Sequence, residues 1–344
     1  MPPKTPDFWY PEKQEPSTPS LISLALMPLS WGYNWVRQNK NAKTQTRSVH
    51  IPVLCVGNIV AGGSGKTPTL LALHDLVKKE SCIINPFFLT RGYGGELFGP
   101  EQLTPQKHGV KQTGDEAQML MQRAPTILSV NRYKGACLAQ TKNADLLMMD
   151  DGFQNPGLYK DINILVIDGK SGFGNGHLIP AGPLREPVDE ALARTHAIVL
   201  IGDDQHAIKQ TLPAGLPVFS AHIAGTFKGD KTRSYFAFAG LGHPFKFKKT
   251  LEKEGIKLSG FKSFPDHHPY TSNDLNALLQ QAENQNARLL TTEKDIQRIP
   301  DAWREKIDYY PVRLIWENEN QVMTFLEQSI SDAKESCRLR KGRA

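Results

Sequence analysis

Short, unbroken apolar runs recur along this chain, separated by longer amphipathic segments. The runs are Val53-Leu54-Cys55-Val56, Pro86–Thr90, Thr126–Val130, Leu146–Met149, Ile162–Ile167 and Ala197–Ile201. A strand without polar alternates is covered on both faces. The segments between runs are long enough for helices. The pattern therefore predicts an α/β fold, with a mostly parallel sheet flanked by helices. A second, smaller α/β set follows. Its strands are Tyr235–Ala239, a mixed stretch from Ile256 to Phe264, and Leu289–Thr292. Ser272 caps a helix with Leu275, Leu278, Leu279 and Ala282 on one face. Asp308 to Trp316 reads as one further strand, and Val322, Phe325 and Leu326 lie on a closing helix. The expected organisation is an arm and helix over 1–48, a larger domain over 49–222 and a smaller α/β domain over 223–306. Residues 307–344 return to the larger domain and end in a basic tail.

Ahead of the first strand, Ser20 is a plausible N-cap for an apolar segment over 21–36, in which Pro28 predicts a kink or a split. Trp31, Tyr33 and Trp35 close this segment, and Arg37, Lys40, Lys43 and Arg47 follow. Aromatics beside cations mark a helix that lies on a membrane surface. A helix packed on the protein core has the same apolar content, so both readings stand on the pattern alone. No apolar run reaches the roughly 20 residues that span a bilayer. Met1–Pro19 is proline-rich and lacks the pattern of a cleaved leader. A soluble or peripheral protein is expected.

The chain has 344 residues and a formal net charge of +6. Its sequence pI is about 9.0. That balance suits an anionic partner. The cations are dispersed apart from the tail 338–343, which reads as solvated, and no aromatic-basic alternation offers a base-stacking platform. Nucleic acid is not an expected partner. Cys55, Cys82, Cys137 and Cys337 form no C-x-x-C pair, which argues against a zinc or thiol-redox motif and for a reducing compartment.

Candidate chemistry centres on the turn after the first strand, Gly62-Gly63-Ser64-Gly65-Lys66-Thr67, which opens a helix carrying Leu70, Leu71, Leu73 and Leu76. Glycines free the backbone N–H groups to face an anion, and the helix adds its positive end. Lys66 reaches the β/γ phosphates and the Thr67 hydroxyl ligates Mg²⁺ in such a loop. Val60 stands where the general pattern has its first glycine. Asp150-Asp151 ends an apolar strand, where an acidic residue holds Mg²⁺ in P-loop proteins; turn carboxylates share the pattern. Asp115 in Gly114-Asp115-Glu116 is either a helix cap or a general base for a hydroxyl. In Asp266-His267-His268, one histidine is expected as a proton or hydrogen-bond partner and the other as structural. The Gly/Pro loop 174–186 ends in Arg185, a candidate phosphate clamp, and Glu186, a candidate metal group. Arg91 follows the second strand.

Together the P-loop, Leu89-Thr90-Arg91-Gly92-Tyr93-Gly94, Gly114-Asp115-Glu116, Asp150–Gln154, Pro180–Glu186, Phe264–His267 and Thr291–Asp295 resemble the tetraacyldisaccharide 4'-kinases, in family order. The resemblance runs from Phe8-Trp9 to about Trp316. It implies phosphorylation of the 4'-hydroxyl of an acylated disaccharide 1-phosphate, a lipid A precursor, with ATP and Mg²⁺. It places that reaction at the cytoplasmic face of the inner membrane of Gram-negative bacteria. By the resemblance, Asp115 is the base and His267 its partner from the second domain. Lys66 stabilises the phosphoryl group. Thr67, Asp150, Asp151 and Glu186 serve the metal, and Arg91, Arg132 and Gln154 serve the substrate's phosphate and sugars. Residues 21–36 resemble a membrane-docking helix for an anionic surface, and a monomer is expected. Ala61 replaces the lysine of dimerising partition and metal-insertion ATPases. The competing readings are a nucleotide-hydrolysing switch or metallochaperone without a lipid acceptor, and a non-catalytic scaffold. No N-K-x-D element supports guanine recognition.

Overall fold

The structure is a computed structural model that describes residues 6–10, 20–79, 83–242 and 244–342. Cys82, His243 and most of the proline-rich start fall outside the described residues. In chain order the strands are β1 (Val53–Gly57), β2 (Pro86–Thr90), β3 (Glu101–Gln102), β4 (Thr126–Leu128), β5 (Leu146–Asp150), β6 (Ile162–Asp168), β7 (Ala197–Ile201), β8 (Val218–Gly225), β9 (Tyr235–Ala239), β10 (Leu258–Ser263), β11 (Arg288–Thr292), β12 (Ile307–Tyr310) and β13 (Val312–Trp316).

The larger sheet has the order β13-β8-β7-β6-β1-β5-β2-β4-β3. Its six interior pairings from β8 to β4 are parallel, and the edge strands β3 and β13 pair antiparallel. Every residue of β1, β2, β5 and β7 is buried, because helices cover both faces. On one face Leu70 and Leu73, from the helix Lys66–Val77, join Val322, Leu326 and Ile330 of the closing helix Glu319–Lys341. The opposite face buries Ala136 and Ala139 against Cys55, Leu89 and Met149. The smaller sheet, β10-β9-β11-β12, is all parallel.

Several expectations need correction. Asp308 to Trp316 is two strands, not one. Pro311 has no N–H to give a ladder, and at that point the chain leaves the small sheet (β12) for the large one (β13). The boundary expected between residues 222 and 223 falls inside β8, which stays in the large sheet to Gly225. The cap of the helix Ser272–Asn284 is Thr271, in a reciprocal box with Asp274. Basic residues of the tail continue the closing helix to Lys341, and Arg340 donates to the Asp161 carboxylate at 2.7 Å.

Residues Leu21–Lys43 form one helix with Pro28 inside it. Pro28 is exposed, and it has no N–H to give the Leu24 carbonyl one turn back. The helix is inverted in polarity. Its inward face carries the buried Ser23 and Ser30, with Tyr33 and Arg37 on the same stripe. Leu21, Ile22, Leu24, Leu29, Trp31, Trp35 and Val36 are exposed, Trp31 and Trp35 at 68% each. The inward groups bind the 174–186 loop. Ser30 Oγ donates to the Leu178 carbonyl at 2.8 Å and accepts from Ala181 N–H at 3.1 Å. Tyr33 donates to the Arg185 carbonyl at 3.0 Å, and Arg37 pairs with Glu190 at 2.7 Å. Among the described residues, no helix is long and apolar enough to cross a membrane.

Candidate functional site

The parallel strands of the large sheet end on one edge, and the candidate groups collect there. After β1 the chain turns through Gly62 (φ +118°) and Gly65 (φ +81°) into the helix Lys66–Val77. A side chain at Gly65 would meet Ile201 Cδ1 at 2.5 Å, so this position needs glycine for space as well as for backbone angle. Val60 needs none. It pairs with Leu184 in an extended bridge, outside the left-handed region. Ala61 N–H donates to the Pro183 carbonyl at 2.8 Å, and Arg185 N–H to the Ile59 carbonyl at 2.7 Å. The 174–186 loop thus straps the turn from one side. The Ser64 hydroxyl is buried with no partner.

Thr67 Oγ1 lies 3.5 Å from Asp150 Oδ2, while Asp150 Oδ1 is buried with no donor. Burial, then the charges of Glu116 and Asp151, push the Asp150 carboxyl up to about 7. A hydroxyl beside a carboxylate with a free oxygen suits Mg²⁺, which keeps phosphate and water oxygens in its other positions. Asp151 has φ +45°, unusual outside glycine. It faces Lys66 at 4.0 Å and Arg185 at 3.2 Å.

Gln154 and Glu186 are placed differently from the expectation. Gln154 donates to the Asn58 carbonyl at 2.7 Å and to Glu186 at 2.9 Å. Glu186 is buried and ion-paired with Arg194. Both are engaged within the fold, so Glu186 supports the Arg185 loop instead of facing a metal, and Gln154 has no free amide N–H for a sugar. Arg132 is buried with its Nε unpartnered, and Arg91 is exposed nearby. Burial, and then the Arg91 charge, lower Arg132 to about 10. Two cations sharing one edge favour an anion between them.

Asp115 opens the helix Asp115–Met121, directly after Gly114 (φ +81°), whose missing side chain lets the Tyr93 carbonyl approach. The carboxylate is buried, yet it meets two groups of the small-sheet unit. His267 Nδ1 lies 2.9 Å from Asp115 Oδ2. Arg298 grips both oxygens: Nε donates to Oδ1 at 2.8 Å and Nη2 donates to Oδ2. Burial pushes the Asp115 carboxyl up, but the bonds from Arg298 and His267 outweigh it and hold it at about 2. The same contact with Asp115 raises the half-exposed His267 above its ordinary value. Next to Asp115, Glu116 pairs with Lys294 at 3.2 Å. Lys66, Lys294 and Glu116 all act on Asp150, so the phosphate turn and the Asp115 pair share one electrostatic neighbourhood.

Sequence reasoning missed Arg298. The motif that was singled out stops at Asp295, three residues short, and Asp295 is the residue that holds Arg298 from behind at 3.1 Å. His268 points elsewhere, with Nε2 3.1 Å from Asp274.

Residues 22–331 match the family described as tetraacyldisaccharide-1-P 4'-kinase. A tetraacyldisaccharide 4'-kinase of Paramagnetospirillum magneticum is 42% identical over 318 residues, covering 91% of this chain and 95% of that protein. One from Parvibaculum lavamentivorans is 41% identical over 345 residues, covering 96% and 99%. A crystal structure of LpxK from Aquifex aeolicus in complex with ATP superposes with a TM-score of 0.74 at 28% identity, covering 90% of this chain and 100% of that one. The chain belongs to the tetraacyldisaccharide 4'-kinase family of enzymes.

Proposed function

We propose that this chain transfers the terminal phosphoryl group of ATP to the 4'-hydroxyl of a tetraacylated disaccharide 1-phosphate, at the cytoplasmic surface of a Gram-negative inner membrane. The observation that carries the proposal is a phosphate turn whose Lys66 acts on Asp150 together with Glu116, the neighbour of a buried Asp115 that pairs with the half-exposed His267 of the small-sheet unit. Phosphoryl transfer needs positioning and charge neutralisation more than covalent help.

In this reading Gly62, Gly63, Ser64 and Gly65 offer backbone N–H groups to the triphosphate, and Lys66 places its charge on the group in transfer. Thr67 and Asp150 hold Mg²⁺, with Asp151 beside them. The ion, when bound, offsets charge on the phosphate oxygens. Asp115 takes the proton of the acceptor hydroxyl, assisted by His267. Arg91 and Arg132 receive the substrate's phosphate. Gln154 and Glu186 act from behind, by holding the Arg185 loop against the turn. Residues 49–225 with β13 form the catalytic domain, and residues between β9 and β12 form the domain that delivers His267.

A lipid acceptor cannot leave its bilayer, so the enzyme must come to the surface. The helix Leu21–Lys43 supplies the apolar contact, and a net charge of +6 supplies attraction to anionic lipid. The protein acts as a peripheral monomer. The decisive assay offers the acylated disaccharide 1-phosphate with γ-labelled ATP and Mg²⁺ in detergent micelles. Labelled lipid supports the reading. ATP hydrolysis without labelled lipid points to the nucleotide-driven switch.

A further inference from the structure

Arg298 has no role in the reaction outlined above, yet every part of its guanidinium is built into the site. Nε and Nη2 take the two oxygens of Asp115. Nη1 donates to Asp295 at 3.1 Å and to the Gly240 carbonyl at 3.2 Å. Asp295 is fully buried and fixed in turn by the Tyr270 hydroxyl at 3.0 Å, the Thr292 hydroxyl at 2.6 Å and Gly240 N–H at 3.1 Å. A planar fork with both ends occupied permits one orientation of its partner carboxylate.

We propose that Arg298 is a positioning residue for phosphoryl transfer: its fork sets the plane of the Asp115 carboxylate for His267 and ties that carboxylate to the small sheet. The proposal rests on the reading that Asp115 and His267 accept the hydroxyl proton. A carboxylate left to rotate would meet the imidazole in a spread of geometries, and the pair would lose its alignment. Nη2 also lies 3.2 Å from His267 Nδ1, so one cation stands beside both members of the pair. That charge keeps the pair unprotonated to lower pH, which sets where its acidic limb falls.

Other charged groups face the same pair. Asp266 lies 3.9 Å from His267 Nε2. Glu116 and Lys294 neutralise each other beside Asp115, and Asp295 and Tyr270 stand behind Arg298. The Tyr93 ring meets His267 edge-on at 6.5 Å. Substitution of Arg298 leaves Asp266, Glu116, Lys294 and Tyr93 in place but also unpairs Asp295, so R298K, which keeps a cation there, separates the charge from the fork.

The test uses full-length wild type, R298Q and R298K with the acylated disaccharide 1-phosphate, ATP and Mg²⁺ in micelles, across the neutral pH range. R298Q is expected to lower kcat by about 10²-fold, the scale of a misaligned catalytic group, with an unchanged KM for ATP. Its acidic limb should move to higher pH. R298K keeps the charge without the fork, so kcat should fall while the limb stays near that of wild type. R298Q with wild-type kcat and pH profile would overturn the proposal. So would variants that lose ATP affinity and folding in parallel, the signature of a merely structural residue. If R298Q does not fold, the split between kcat and pH limb in R298K decides alone. Wild type that makes no labelled lipid removes the reaction itself and this inference with it, whereas an active wild type beside an unaffected R298Q removes the inference only.

Discussion

Thr67 and Asp150 meet at 3.5 Å, a hydroxyl from the phosphate-turn helix against a carboxylate from the end of β5. The second oxygen of Asp150 has no donor. An amide in that place offers a neutral oxygen to a divalent cation. D150N should therefore reduce kcat by at least about 10²-fold, the scale of a lost charge-stabilising group, and raise the Mg²⁺ needed for half-maximal rate. A Mg²⁺ titration of initial rates checks this. An unchanged Mg²⁺ curve in D150N would remove Asp150 from the metal.

Gly63 and Gly65 should respond differently to alanine. At Gly65 the backbone is left-handed and a methyl group would strike Ile201, whereas nothing lies within 4 Å of the same atom at Gly63. G65A should lose about 1–2 kcal/mol of stability from backbone strain alone, and more from the clash. G63A should unfold as wild type does. Denaturant curves without nucleotide give the comparison; equal midpoints for the two variants would contradict the geometry.

His267 should make stability depend on pH. Its folded pKa is raised, first by the bond with Asp115, from an ordinary 6.5. A raised basic group contributes stability that is full below its unfolded pKa and is lost as pH rises through the folded one. The difference in Tm between wild type and H267Q should shrink as pH climbs past 6.5. Asp115 has the opposite sign: its lowered pKa gives stability that persists above the ordinary carboxylate range and vanishes only as pH falls towards 2. A gap between wild type and H267Q that widens with pH would reverse the assignment.

The exposed face of the helix Leu21–Lys43 should govern binding to lipid and not folding. Replacing Leu29, Trp31 and Trp35 with serine removes no buried contact, so Tm should hold while co-sedimentation with phosphatidylglycerol vesicles falls. Undiminished sedimentation places the anchor elsewhere. Ser30 behaves the other way. S30A strands the Ala181 N–H and should cost about 1–3 kcal/mol of stability, measured by urea unfolding.

Much of the site was legible because its parts are contiguous in sequence. A strand, three glycines, Lys66-Thr67 and a helix can be read from a dozen residues, and β2, β7 and β9 kept their expected bounds. Arg298 was not legible. It looks like an ordinary arginine in a short turn, and its partner is 183 residues away. Glu186 misled for a related reason: Arg194, which claims it, lies across a helical turn, and a lone Arg-Glu dipeptide does not say who pairs with whom. The helix over 21–36 left two readings because hydrophobicity counts do not reveal which way a helix faces. Ser23 and Ser30 were the signal, since polar residues seven apart share a stripe, and here that stripe turned inward. Pro311 likewise announced the break between β12 and β13.

The loop that ends in Arg185 touches two things at once. Its Leu178 and Ala181 hold Ser30, and its Pro183 and Arg185 hold residues 59 and 61. A handful of peptide units therefore separates whatever the outer helix rests upon from the cradle for the triphosphate. On the proposed reading, the dissociation constant for ATP measured on phosphatidylglycerol vesicles should differ from the one taken in bare buffer, because the strap that holds the turn also holds the outer helix.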